Sequence, residues 1–136
     1  MRARVNEKFE WRTLLDMKQA ANRHYRDGKK MLDSNSFDNA GYHFGFAAEC
    51  ATKFRLQKSG VRADDGAIWA HFQALRSVAL VAIRTRADAD LFRILSRASF
   101  MQEWDTKMRY AKDGAISQAR AQKWRADADE LLGLLL

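Results

Sequence analysis

The chain has 136 residues, 47% of them hydrophobic and 30% charged, a balance that suits a single globular domain and argues against extensive disorder. No run approaches the roughly 18 apolar residues of a membrane span, residues 1–8 lead into no apolar signal-peptide core, and the lone cysteine, Cys50, excludes an internal disulfide. A net charge of +7, with an isoelectric point near 9.9, favours anionic partners such as RNA or an acidic protein face.

One soluble, cytoplasmic domain over residues 1–136 is therefore expected, disordered only at residues 1–5 and without membrane contact. Proline is absent and apolar positions recur at three and four, so the fold class is all-α, an up-and-down bundle of about five helices. Asn6 can cap a first helix whose inward stripe is Leu14, Met17, Ala21, Tyr25, Gly28 and Leu32, broken by Ser34-Asn35-Ser36. Asp38 can cap a second, which continues to the stop signal Ser59-Gly60.

A third helix is expected between Asp64-Asp65-Gly66 and Arg84, with Phe72, Leu75, Ala79 and Ala82 on one side. Its end, residues 78–83, is apolar all round, which predicts a central position. Thr85-Arg86-Ala87-Asp88 has capping-box spacing and opens a fourth helix with the stripe Leu91, Leu95, Ala98 and Met101. Arg86, Arg93 and Arg97 share its other face, where Asp90 partly neutralises them, as on a solvated surface.

From Trp104 to Ile116 the helical period fails, and Trp104, Thr106, Met108 and Tyr110 alternate as in an extended segment before the Asp113-Gly114 turn. Ser117 caps a last helix whose seam is Ala121, Trp124, Ala128, Leu131 and Leu135. Arg120, Lys123 and Arg125 crowd the positive end of its dipole, at a cost of about 0.3 kcal/mol each when exposed, so packing must hold this helix. The apolar tail, residues 131–136, exceeds what one face of a monomer needs and predicts cover from a second chain.

The second helix carries the densest information. Gly41, Gly45 and Ala48 stack on one line and let another backbone approach, and Phe44, Ala47, Ala51 and Phe54 flank that line as core. Tyr42, Glu49, Lys53 and Leu56 follow on the next face, with Glu49 and Lys53 forming an i,i+4 pair in the favourable order. If that pair is half buried, the carboxylate needs a further donor, a role an arginine would fill. His43 and Cys50 lie seven residues apart on one face, but two ligands without a third make a weak case for a metal; neither metal nor cofactor is expected.

The segment from Ala40 to Lys53, AGYHFGFAAECATK, resembles the second helix of bacterial HEPN domains, which reads approximately A-Y-L-x-G-x-A-x-E-C-x-L-K. His71-Phe72-Gln73-Ala74-Leu75 is similar to that family's H-D-L-x-x-L, and Trp104-Asp105-Thr106-Lys107-Met108-Arg109-Tyr110 to its W-x-x-x-x-R-Y, in the same order. Thr52 stands where leucine is usual, and Phe72-Gln73 where Asp-Leu is usual. The resemblance covers residues 18–132.

It implies an antiparallel bundle, commonly a homodimer, often encoded beside a small nucleotidyltransferase partner in toxin–antitoxin or defence systems. Members cut RNA or bind RNA, nucleotides or proteins. RNA-cutting members place an arginine about four to six residues before a histidine, which moves protons at the ribose 2′-hydroxyl. None of His24, His43 and His71 has an arginine so placed, so the usual ribonuclease mechanism is not expected, and His71 reads as a capping or packing residue.

The resulting expectation is a non-catalytic or weakly catalytic HEPN-like module that binds RNA, a nucleotide or a cognate protein. The alternatives are an RNA-cleaving toxin with a divergent active site and a purely structural bundle. The expected polar cluster joins Glu49 and Lys53 to Arg109, held by Trp104 and Tyr110, with His71 nearby. Either Arg109 and Glu49 form a structural ion pair, or Lys53 and Arg109 face a phosphate while Tyr110 or Trp104 stacks on a base.

Overall fold

A computed structural model describes residues 10–62, 66–83 and 86–135. All regular elements among them are helical. After a single turn at Trp11–Leu14 come α1 (Met17–Asp33), α2 (Phe37–Lys58), α3 (Ala74–Ala82), α4 (Ala89–Leu95) and α5 (Gln118–Leu132). The expected helical bundle of five helices is observed, and α2 is its centre, packed along both α1 and α5. No helix of the described residues is long and apolar enough to cross a membrane.

The first helix starts later than expected. Leu15 is extended, and the Asp16 carboxylate accepts the Gln19 N–H at 2.9 Å, which caps α1 there. Leu14 consequently falls out of the stripe and is 56% exposed, whereas Ala21, Gly28 and Leu32 are buried as expected. The Asn6 cap, the disordered residues 1–5, the turn residues Asp64 and Asp65, and the Thr85 capping box lie outside the described residues.

Asp38 does not cap its own helix, since Ser36 occupies that position. Its carboxylate instead accepts the Gly114 N–H at 2.8 Å and the Ile116 N–H at 2.9 Å, tying the loop before α5 to the start of α2. The end of α2 at Ser59-Gly60 is as expected, with Gly60 at φ +102°.

The third helix is shorter than its pattern, because Gly66–Trp69 forms a separate 3-10 turn. Leu75 and Ala79 are buried, but Ala82 faces solvent and Val81 is 64% exposed, so its end is not central. Its outer face, Ala74, Ser77, Val78, Val81 and Ala82, carries no charge.

Helix α4 stops at Leu95, which leaves Ala98 exposed outside it, while Met101 reaches the core from a turn with φ +49°. Asp88, at its N-terminal boundary, is buried, and Asp90 in its first turn is partly exposed. The Arg55 Nη2 donates to Asp90 Oδ1 at 3.0 Å and to Asp88 Oδ1 at 3.4 Å, and the Ser59 hydroxyl donates to Asp88 at 2.7 Å. The Arg55 hydrogen bond holds the Asp90 carboxyl below the usual range. On its solvated face Arg97 grips Glu130 of α5 through two exposed bonds, at 2.6 and 2.9 Å.

Residues 106–110 do not run extended. Asp105 accepts the Lys107 N–H at 2.8 Å and starts a 3-10 turn over Thr106–Tyr110. Helix α5 follows its pattern: the Ser117 hydroxyl accepts the Arg120 N–H, and Ala121, Trp124, Ala128, Leu131 and Leu135 are all buried.

The small-residue line of α2 receives aromatic rings rather than a backbone. A β-carbon on Gly41 would come within 2.8 Å of the Trp124 ring, and one on Gly45 would fall inside Trp104. Both rings are nearly fully buried. This line, and the tail residues Leu131 and Leu135, are thus taken up within the chain, although the tail had suggested cover from a second one.

Candidate functional site

One face of α2 presents Tyr42, His43, Phe46, Glu49, Cys50 and Lys53 at helical spacing. At its middle the buried Glu49 carboxylate accepts the Lys53 ammonium at 3.0 Å. His71, arriving from the turn before α3, brings Nδ1 to 3.1 Å from Oε1 and 3.2 Å from Oε2. Lys53 is buried as well, so this is a desolvated pair that stands only because each charge has a partner. The His71 ring is 52% exposed and bridges the buried carboxylate to solvent. With the Nδ1 proton directed at Glu49, a neutral His71 carries its free lone pair on Nε2.

Phe46 is the aromatic hub beside this triad. Its ring stands edge-on to His71 (6.2 Å between centroids), Trp104 (5.4 Å) and Tyr42 (4.7 Å). Tyr42 stacks on Trp104 at 6.0 Å with 18° between planes. Trp104 is locked beneath by its ring N–H, which donates to the Gly41 carbonyl at 3.0 Å, and by the notch that Gly45 leaves.

On the α1 side, His24 places Nδ1 at 3.0 Å from Nδ1 of His43, and its ring lies 5.6 Å from Phe46. His24 and His71 thus flank the Phe46 ring, and His43 joins the group through His24. Burial, and then the neighbouring His43 and Arg23, push the His24 imidazole down to about 4 against the opposing pull of Asp27. Burial pushes the Cys50 thiol up to about 11, reinforced by Glu49, which makes it an inert packing group as its apolar surroundings predict. Burial also raises the Tyr42 phenol, with Arg109 acting in the opposite direction.

Of the six residues expected to cluster, the structure joins Glu49, Lys53 and His71, with Trp104 beside them under Phe46. Arg109 does not reach Glu49. Because residues 106–110 coil, its guanidinium stays exposed and lies 5.5 Å from the ring centroid of Tyr110. Tyr110 is itself 82% exposed. The two lie at the rim, where Arg109 joins Tyr42, Asn39 and Met108 around a hollow of about 340 Å³.

The second donor that buried Glu49 required is a histidine rather than an arginine, so His71 neither caps nor merely packs. Sequence reasoning passed over Phe46 and the His24–His43 contact. The available signal was the occurrence of His43, Phe46 and Glu49 at spacings of three on a helix already known to be buried on its opposite side. No family model, curated protein or solved structure matches the chain.

Proposed function

We propose that the chain is a HEPN-like module that binds single-stranded RNA or a nucleotide through the face centred on Phe46. The observation that carries the proposal is a group of rings on that face with an arginine at either side. Tyr42, Phe46, His43 and His71 are partly open to solvent, Arg23 acts on His24 and Cys50 at one side, and Arg109 acts on Tyr42 at the other. Rings stack on bases and guanidinium groups take phosphates, the combination through which unpaired RNA is held. The net charge of +7 favours the same partner. The three segments that carry the HEPN resemblance also meet here, through Glu49 and Lys53, His71, and Trp104 respectively. Its context would be a toxin–antitoxin or defence system.

The test is titration of a fluorescent single-stranded RNA into the protein and into an Arg23→Ala/Arg109→Ala variant. The wild type binds and the variant binds more weakly with an unchanged unfolding midpoint, since both arginines are exposed. Absence of binding by the wild type would refute the reading.

One feature supports a second reading, the divergent ribonuclease. Glu49 engages the His71 ring by Nδ1, which leaves Nε2 of a half-exposed ring as the nitrogen that could serve as a general base. The Arg-to-His spacing of RNA-cutting HEPN domains is still lacking. Metal-independent cutting of RNA that His71→Ala abolishes would favour this reading; RNA left intact in the bound complex favours binding alone.

A further inference from the structure

We infer that the hollow beside Tyr42 takes the base of a single nucleotide, that the base is guanine, and that Asp38 reads it. This rests on RNA binding by the Phe46 face and adds which base that face selects. The hollow measures about 340 Å³ and lies between the first turns of α2 and the 3-10 turn over Thr106–Tyr110. Small-molecule sites run from roughly 300 to 1,000 Å³, so there is room for one base and not for a longer segment.

Charge decides which part of a nucleotide enters. The lining carries two carboxylates, Asp38 and Asp113, against one guanidinium, Arg109. A net negative lining repels a phosphate but admits an uncharged base. Arg109 is exposed, so it can hold the phosphate of the same nucleotide at the rim. Tyr42, Met108 and Ala111 give the hollow apolar walls for a flat ring. Tyr42 and Met108 are packed on the core, and Tyr42 is stacked on Trp104, so these walls stand before a ligand arrives.

Asp38 is equally fixed. Its Oδ2 accepts the Gly114 N–H at 2.8 Å and its Oδ1 accepts the Ile116 N–H at 2.9 Å. These two backbone groups are its only hydrogen-bond partners among the described residues. A carboxylate has about four lone-pair sites, so each oxygen keeps a further acceptor position.

Two acceptors side by side match two donors side by side. Among the RNA bases guanine offers that pair, N1–H and the N2 amino group. Adenine and cytosine set one donor beside an acceptor, and uracil sets its N3–H between two carbonyls, so each would turn an acceptor toward a carboxylate oxygen and lose a bond. Asn39, the next residue of α2 and part of the same lining, has an amide N–H to offer guanine O6.

The test is fluorescence anisotropy of short oligouridine strands that carry one central guanosine, inosine, adenosine or cytidine. The guanosine strand should bind at least about fivefold more tightly than the adenosine, cytidine and all-uridine strands. Inosine keeps N1–H and O6 but lacks the N2 amino group, and should bind about threefold or more weakly than guanosine. Asp38→Asn, which turns an amide donor toward the base, should erase the preference. With guanosine 5′-monophosphate as competitor, displacement in the strand's own concentration range identifies the free nucleotide as the ligand, and displacement only well above it identifies the strand. Equal affinity for the guanosine and adenosine strands, or no loss from guanosine to inosine, would overturn the inference while RNA binding by the face stands. No binding of any strand would overturn both. The inosine comparison uses the wild type and decides the matter even if Asp38→Asn folds poorly.

Discussion

Replacing Gly45 by alanine adds one methyl group where there is no room for it. The new β-carbon would lie 1.8 Å from Trp104 Cε2 and 2.0 Å from Nε1, and both atoms belong to a rigid indole that is fully buried. Two effects compete. Alanine in mid-helix is worth about 1 kcal/mol over glycine. Against it, overpacking costs about 1–3 kcal/mol, and a displaced indole that no longer donates to the Gly41 carbonyl leaves a buried acceptor unpaired for about 1–3 kcal/mol more. The net is a loss of about 3 kcal/mol. With about 2.1 cal/mol/K of unfolding entropy per residue over 136 residues, that loss lowers Tm by about 10 °C. Differential scanning calorimetry of Gly45→Ala beside Gly66→Ala provides the measurement, because a β-carbon on Gly66 meets nothing within 4 Å. A Gly45→Ala protein as stable as the wild type would show that the indole does not occupy the notch.

Glu49→Gln should destabilise by about 3 kcal/mol by leaving Lys53 buried without its charge partner, whereas Arg109→Ala, at an exposed position, should leave the urea midpoint unchanged. Equal losses in both variants would restore the Arg109–Glu49 pairing. His24 supplies a pH dependence: its folded value of about 4 lies below the ordinary 6.5, so the unfolded chain binds the extra proton, and stability is complete above about 6.5 and falls as pH drops toward 4. The full shift corresponds to about 3 kcal/mol, reduced to about 1.5 kcal/mol for a half-exposed ring. Unfolding free energies from urea titrations at pH 7 and pH 4.5 should differ by about 1 kcal/mol more in the wild type than in His24→Gln, because pH 4.5 realises only part of the shift, and an equal difference in both would remove His24 as the cause.

Local chemistry made parts of the fold legible. The seam of α5 and its Ser117 cap, the Ser59-Gly60 stop and the Glu49–Lys53 pair each depend on residues within a turn or two of one another. The start of α1 was ambiguous because Asn6 and Asp16 are both competent caps. Asp38 looks like a cap in sequence, yet its partners Gly114 and Ile116 lie at the far end of the chain. The same distance hid the site: the demand of buried Glu49 for a second donor could be read from α2, but nothing local distinguishes His71 from Arg109 as the supplier. The glycine line announced a close approach without naming the tryptophans that make it.

Binding of RNA by the Phe46 face is tested most directly by the salt dependence of affinity. For a single strand the slope of log affinity against log salt is about −0.7 per phosphate neutralised, so loss of two contacts should make it shallower by about 1.4. The account predicts that the Arg23→Ala/Arg109→Ala variant loses this much slope relative to the wild type while the RNA stays intact. A wild type that does not bind, or a variant with the same slope as the wild type, would contradict it.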